Sequence, residues 1–184
     1  MLKRIAEYFI LFLQGVPFCR KLMKRIFRNA LEYRQVLSEE DRRQFLNFYN
    51  PEIALDNQEC PTGLKPLLSA SYSFMVFFRR RIIGVVNLTK NEFNNNYPGW
   101  WVYSVEVYWP FRRLGIGERL NKEVFSFALK NRIELLYVSV WDKNKSSCSL
   151  YENLGFAKIG EMPVSISNEK ETRKYIVMKK ELTD

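Results

Sequence analysis

Two glycines one residue apart, Gly115 and Gly117, separate an aromatic-rich apolar run, WWVYSVEVYW (residues 100–109), from a segment with helical spacing that reaches Lys130. Directly before them, in the stretch FRRLGIGERL, stand Arg112 and Arg113. Glycine inside a helix costs about 0.8–1.0 kcal/mol relative to alanine, so a pair at a strand-to-helix junction needs a physical reason. One reason is geometric, a tight turn with no ligand. The other is chemical. The first turn of a helix presents backbone N–H groups that have no intrahelical partner, and the helix dipole adds partial positive charge. Glycine lets a phosphate approach that backbone closely. RRLGIG therefore fits a phosphate cradle to which two arginines add charge. It lacks the Lys-Ser/Thr of a triphosphate loop and the third glycine of a dinucleotide fold.

The pattern on either side of the junction sets the fold class. Residues 31–37 alternate as a strand. Ser38, with Asp41 three residues on, opens a helix to about Tyr49 in the manner of a capping box. Residues 50–70 carry prolines at 51, 61 and 66 and read as a short helix and loops. Residues 72–78 and 82–88 form a hairpin about a turn at 79–81, and NEFNNNYPG is a loop by composition. Residues 100–109 are a strand, and residues 111–130 a helix with Leu120, Val124, Phe127 and Ala128 on one side. The continuous apolar run IELLYVSV reads as a buried parallel strand. SSCSLYENLGF is a short helix ended by Gly155. Two last strands, AKIGEMPVSI and RKYIVMKKEL, are joined by a polar loop. This is an α/β chain with a mixed sheet and a central strand–helix–strand unit, which crosses over right-handed.

Composition narrows the chemistry. The chain has no histidine and a formal net charge of +9. A histidine base and histidine-based metal sites are excluded, and no metal is expected. The charge favours anionic partners: a phosphorylated cofactor, a nucleic acid or a membrane surface. Cys19, Cys60 and Cys148 are scattered and odd in number, so a reducing compartment, the cytoplasm, is expected. The apolar stretch of residues 5–13 is interrupted by Glu7 and shows no clear small-residue cleavage site, so it is not expected to be a leader. It is also short of the roughly 20 apolar residues that a span requires. The chain divides into a basic amphipathic helical extension, residues 1–30, broken near Pro17, and a domain of residues 31–184. Residues 18–30 admit two readings. One is a basic surface helix that touches a membrane or partner. The other is a helix packed on its own domain with a solvated charged face.

RRLGIG matches Arg/Gln-x-x-Gly-x-Gly/Ala, and further on NKSSCSLYENLGF matches Asn-x-x-x-x-x-Leu-Tyr-x-x-x-Gly-Phe. In these two spaced motifs the chain resembles the GNAT superfamily of acetyl-CoA-dependent N-acetyltransferases. At motif level the resemblance covers residues 105–156, and by element order residues 31–182. It implies that acetyl-CoA lies between two parallel strands that splay apart. Arg112, Arg113, Leu114, Gly115, Ile116 and Gly117 match the pyrophosphate loop, acting mostly through backbone N–H groups. Val107 matches the position whose backbone serves the pantetheine arm. Asn144 matches the side chain that contacts that arm, and Tyr151 the tyrosine that protonates the leaving thiolate.

An amine acceptor must shed a proton to attack, so a base is also needed. Glu106 is the first candidate, with its side chain expected opposite Val105 and Val107. Asp142 is a second, and a water chain is the alternative to both. Cys148 has no activating neighbour in sequence and fits helix packing better than acyl transfer. Trp100, Trp101, Tyr103 and Tyr108 suit either an acceptor groove or the core of the sheet. The acceptor classes left open are a small amine, an amino sugar and a protein amine, and a homodimer is an open alternative. A different function class competes with the enzyme: a noncatalytic module with the same fold that uses its basic N-terminal helices on a membrane, nucleic acid or protein.

Overall fold

The computed structural model describes residues 22, 23, 25, 27, 30–49, 71–91, 96–165 and 172–183. In chain order the elements are β1 (Leu31–Gln35), α1 (Glu39–Tyr49), β2 (Ser71–Phe78), β3 (Arg81–Asn91) and β4 (Gly99–Val107). A 3-10 turn (Trp109–Phe111) follows, then α2 (Ile116–Lys130), β5 (Leu135–Trp141), α3 (Lys145–Asn153), β6 (Ala157–Ser165) and β7 (Thr172–Glu181). The order is the one that the sequence pattern predicts. The helix predicted ahead of residue 18 and the short helix and loops of residues 50–70 lie outside the described residues.

Among the described residues the strands make one seven-stranded sheet in the order β1-β2-β3-β4-β5-β7-β6. β4 and β5 are its parallel pair, and the other neighbours run antiparallel. Period-two alternation divides the apolar residues between the two faces. On β2, Phe74 and Val76 face one way and join the main core, which α2 completes with Ile116, Leu120, Val124 and Ala128. Tyr151 of α3 and the following Leu154 belong to the same cluster. Met75 and Phe77 face the other way, against Val85 of β3 and Phe45 of α1. α2 and α3 thus cover one face, and α1 part of the other.

The residues before β1 share the first of these faces. Met23 and Phe27 are helical and buried in the main core, while Leu22 and Arg25 are exposed. This is the one-sided spacing of a helix packed on its own domain with a charged outer face.

β4 does not keep strict alternation. Asn87 pairs with Tyr103 but Val85 with Glu106, so two residues of β4 oppose Val86 alone. This is a β-bulge, and Ser104 in it has φ +51°. Trp100 and Val102 pack toward α2 before the bulge, and Val105 and Val107 do so after it. Glu106 consequently lies on the face of Tyr103, opposite Val105 and Val107 as predicted.

The start of α1 follows its sequence signature. The Asp41 N–H donates to Ser38 Oγ at 3.0 Å, and the Ser38 N–H donates back to Asp41 Oδ2 at 3.3 Å. Arg34 adds an ion pair at 3.5 Å. Partial burial works to raise the Asp41 pKa, but the bonds from Ser38 and Leu37 and the Arg34 charge outweigh it and hold it below the usual value. The sign follows: this contribution is complete above the ordinary aspartate pKa of about 3.9 and is lost as pH falls through the lower folded value. Ser38→Ala is expected to lower the unfolding free energy by about 1 kcal/mol, read from urea denaturation at neutral pH. Asp41→Asn is expected to lose less stability than the parent between pH 5 and about pH 2. Parallel acid limbs for the two proteins would count against the assignment.

Candidate active site

The predicted helix of residues 111–130 begins later, at Ile116, and the reason is local. Pro110 and Phe111 are buried in the 3-10 turn, and the chain then runs through Arg113 at φ +64° and Gly115 at φ +83°. Left-handed residues cannot continue a right-handed helix. Residues 112–115 are therefore a loop, and Gly115 is the N-cap of α2, with no side-chain cap on the first-turn N–H groups. The Gly115 carbonyl takes the first helical bond, from the Arg119 N–H at 3.0 Å. Leu114 and Ile116 are anchored in the core. Arg112 and Arg113 are exposed. The first-turn donors and the positive end of the dipole are those of an anion site.

The two glycines serve different ends. A Cβ at Gly115 would meet nothing within 4 Å, so its need is conformational, set by the positive φ. Gly117 has an ordinary backbone but little room. A Cβ there would stand 3.6 Å from Leu150 Cδ2, 3.7 Å from Val105 Cγ1 and 3.9 Å from Val107 Cγ2. A methyl group fits and a larger side chain does not. Gly117 is where α2, α3 and the end of β4 converge.

Between β4 and β5 the parallel pairing is confined to Trp100 with Leu136 and Trp101 with Tyr137. β4 continues to Val107 and β5 to Trp141 without further pairing between them. Each is held on its outer side, β4 by β3 up to Val107 and β5 by β7 along its whole length. The strands part, and their inner backbone edges face a gap that ends beside the Gly115 loop and the start of α3. An extended molecule entering there would meet peptide groups as an added strand does.

The predicted residues stand on β4, on the loop that follows it and on α3. The Val107 carbonyl accepts a bond from Arg112 Nε at 2.9 Å, which ties the loop to the strand end. Asn144 is the N-cap of α3: its Oδ1 accepts from the Ser147 N–H at 3.2 Å, leaving the amide NH2 outside the cap. Tyr151 is buried at 4 % exposure and lies edge-on to Phe156 at 5.2 Å. Burial alone pushes its phenol pKa well above the usual value, so the phenol is protonated at neutral pH. Cys148, half-buried, has its Sγ 3.9 Å from the Trp141 carbonyl. Tyr151 is part of the main core on the helix-covered side, and Val107 packs against that core. Glu106 is exposed on the opposite face. Asp142 lies just past β5, its N–H bonded to the Lys174 carbonyl at 3.0 Å.

The aromatic candidates divide. Trp101 is 1 % exposed, its indole N–H donates to the Tyr97 carbonyl at 3.1 Å, and it packs with Tyr103 and Tyr137. It is core. Trp100 and Tyr108 pack against the main cluster. Sequence reading passed over Asn87, which is fully buried on the Trp101 and Tyr103 face. Ser73 Oγ donates to Asn87 Oδ1 at 2.6 Å, and Asn87 Nδ2 has no partner. Its signal was an asparagine inside the apolar strand IIGVVNL. Leu150, the partner of Gly117, carried no signal of that kind.

Comparisons with known proteins agree with this geometry. The family model described as the acetyltransferase (GNAT) family matches residues 21–156. Among solved structures, a GNAT-family acetyltransferase from Streptococcus pneumoniae is 17% identical, with 83% of this chain and 99% of that one covered and a TM-score of 0.63. The ribosomal-protein-S18-alanine N-acetyltransferase of Escherichia coli is 14% identical over 83% of this chain and 96% of that one, with a TM-score of 0.61. A GNAT-family acetyltransferase from Elizabethkingia anophelis, with acetyl-CoA bound, is 17% identical over 83% and 99%, with a TM-score of 0.59. At these identities the structures speak to the fold alone. The family model spans most of the chain, including the split strands, the glycine loop and Tyr151, and the chain belongs to the GNAT acetyltransferase family.

Proposed function

We propose that the protein moves an acetyl group from acetyl-CoA directly to a primary amine, with both substrates bound at once. The observation that carries this reading is the parting of β4 and β5 beside an α2 N-terminus that no side chain caps. When bound, acetyl-CoA supplies the activated acetyl group as a thioester. The backbone N–H groups of residues 114–117 take its pyrophosphate, and Arg112 and Arg113 add positive field. The backbone of Val107 and the amide NH2 of Asn144 hold the pantetheine arm in the gap. Glu106 accepts the proton that the acceptor ammonium must lose, directly or through a water, so that the nitrogen lone pair can attack the acyl carbon. Tyr151 donates a hydrogen bond to the sulfur as the C–S bond breaks. Its raised pKa keeps the phenol neutral throughout; Glu106 retains the proton lost by the ammonium before attack, and the second proton, which the nitrogen loses after attack, completes the thiol. The acceptor is a small amine, an amino sugar or a protein amine.

Binding is tested first. Acetyl-CoA at 100 times its dissociation constant should stabilise the chain by about 2.7 kcal/mol, a rise of roughly 5–10 °C in Tm for a chain of this size. ATP at the same concentration should raise it far less. Gly115→Val is expected to remove the acetyl-CoA shift, because it forces the loop out of its left-handed turn. Gly117→Ala is expected to keep the shift and Gly117→Leu to lose it. An equal shift with ATP would mean that only the net charge is felt.

Chemistry is tested at Tyr151. Tyr151→Phe keeps the ring against Phe156 and removes the hydroxyl. It should lower kcat on the order of 100-fold while the KM for acetyl-CoA moves little, measured with whichever amine a screen finds active. Unchanged kcat would remove Tyr151 from the reaction.

A further inference from the structure

Three rings meet beside the loop: Phe27 and Phe78 at 4.9 Å, Phe27 and Phe111 at 5.6 Å, and Phe78 and Phe111 at 5.6 Å. Each comes from a different segment, each segment carries exposed arginine, and the Arg79 guanidinium lies over the Phe78 ring at 5.4 Å. The helical residues before β1 bring Arg25, the β2–β3 turn brings Arg79, Arg80 and Arg81, and the turn after β4 leads into Arg112 and Arg113. None of these is paired with a carboxylate among the described residues. Elsewhere Arg42, Arg43, Arg119, Lys122, Lys158 and Lys174 lie against glutamates, whereas among the described residues the exposed Arg132, Lys143 and Lys145 do not.

The turn is unusual in itself. Arg79 and Arg80 have φ of +48° and +64°, and Phe78 pairs directly with Arg81. A two-residue hairpin turn of that shape favours asparagine and glycine. Arginine at both positions sets local backbone preference aside for surface charge, which is the mark of a functional rather than a structural choice. The first and last of the three segments also expose apolar groups, Leu22 at 48 % and Trp109 at 36 %. Beyond Leu22 the chain continues toward its N-terminus through a sequence that combines Lys3, Arg4, Arg20 and Lys21 with the apolar run YFILFL.

We propose that this surface docks the protein on an anionic lipid bilayer. Arg25, Arg79, Arg80 and Arg81 would meet headgroup phosphates, Arg112 and Arg113 being left to the cofactor, and Trp109 and Leu22 the boundary with the acyl chains, where tryptophan is favoured. A nucleic acid would use the arginines equally but has no complement for Leu22. Among the described residues no helix is long and apolar enough to cross a membrane.

The test is co-sedimentation of the full chain with vesicles of phosphatidylcholine alone and of an equal mixture with phosphatidylserine. Binding is expected to the anionic vesicles and to weaken with salt. Each arginine near such a surface contributes about fivefold to partition, so R79Q/R80Q/R81Q should bind on the order of 100-fold more weakly. Trp109→Ala should weaken binding further at every salt concentration, while R42Q/R43Q, on α1, should bind as the parent does. Tm and the acetyl-CoA shift of the triple variant should match the parent, which separates this surface from the cofactor loop. Equal binding to both vesicle types, parent-like binding of the triple variant, or capture by single-stranded RNA without vesicle binding would each overturn the proposal.

Discussion

The separation of β4 from β5 is the constraint on which the rest of the molecule turns. Two parallel strands that stop pairing halfway would ordinarily close up, because a bare backbone edge is a ready partner for another strand. Here closure is resisted from both sides. β3 holds β4 as far as Val107, and β7 holds β5 from Leu135 to Trp141. The bulge at Ser104 bends and twists β4 where the gap begins. The convergence of Val105, Val107 and Leu150 on Gly117 then fixes how far apart the strand end and α3 may stand. The gap is thus built into the sheet by antiparallel pairing on its flanks.

The bulge also decides where the chemistry is placed. Unbroken alternation from Trp101 and Tyr103 would put Val105 and Val107 on the Trp101 face and Glu106 beneath α2. One extra residue reverses this. The two valines enter the core beside Gly117, and Glu106 comes out on the side of Tyr103. A carboxylate beneath α2 would be buried among apolar groups at a substantial desolvation penalty. The strain at Ser104 is therefore coupled to the position of the residue proposed as base.

How legible all this was differs by element. The element order, the hairpin, the Ser38–Asp41 cap and the two motif loops were readable because each rests on local chemistry: alternation, a capping pair, glycine at a positive φ. The bulge was not readable, because Ser104 carries no glycine to mark its positive φ and the register depends on β3. The start of α2 was misplaced because residues 111–115 have helix-compatible composition, and only the left-handed geometry at Arg113 and Gly115 breaks it. Asn144 was readable as a motif residue but not as the cap of α3. Asn87 showed in the sequence as a polar interruption, yet the loss of a partner for Nδ2 is a property of packing alone. Aromatic residues were the least informative: Trp100 and Trp101 are adjacent, yet only Trp100 packs against the α2-covered core, while Trp101 sits among tyrosines on the other face.

Tyr151 and Glu106 end up on opposite sides of one sheet in opposite environments. Burial against Phe156 holds the phenol in its protonated form, and the exposed carboxylate stands in contact with solvent. A reaction that must take a proton from an incoming amine and place one on a departing sulfur needs its two proton handlers apart, so that neither quenches the other. On the proposed function, the split sheet leaves the phenol on the helix-covered face and the carboxylate on the Tyr103 face. The proposed function accordingly puts the leaving group on the face of the Gly115 loop and α3, and the acceptor across the sheet from both.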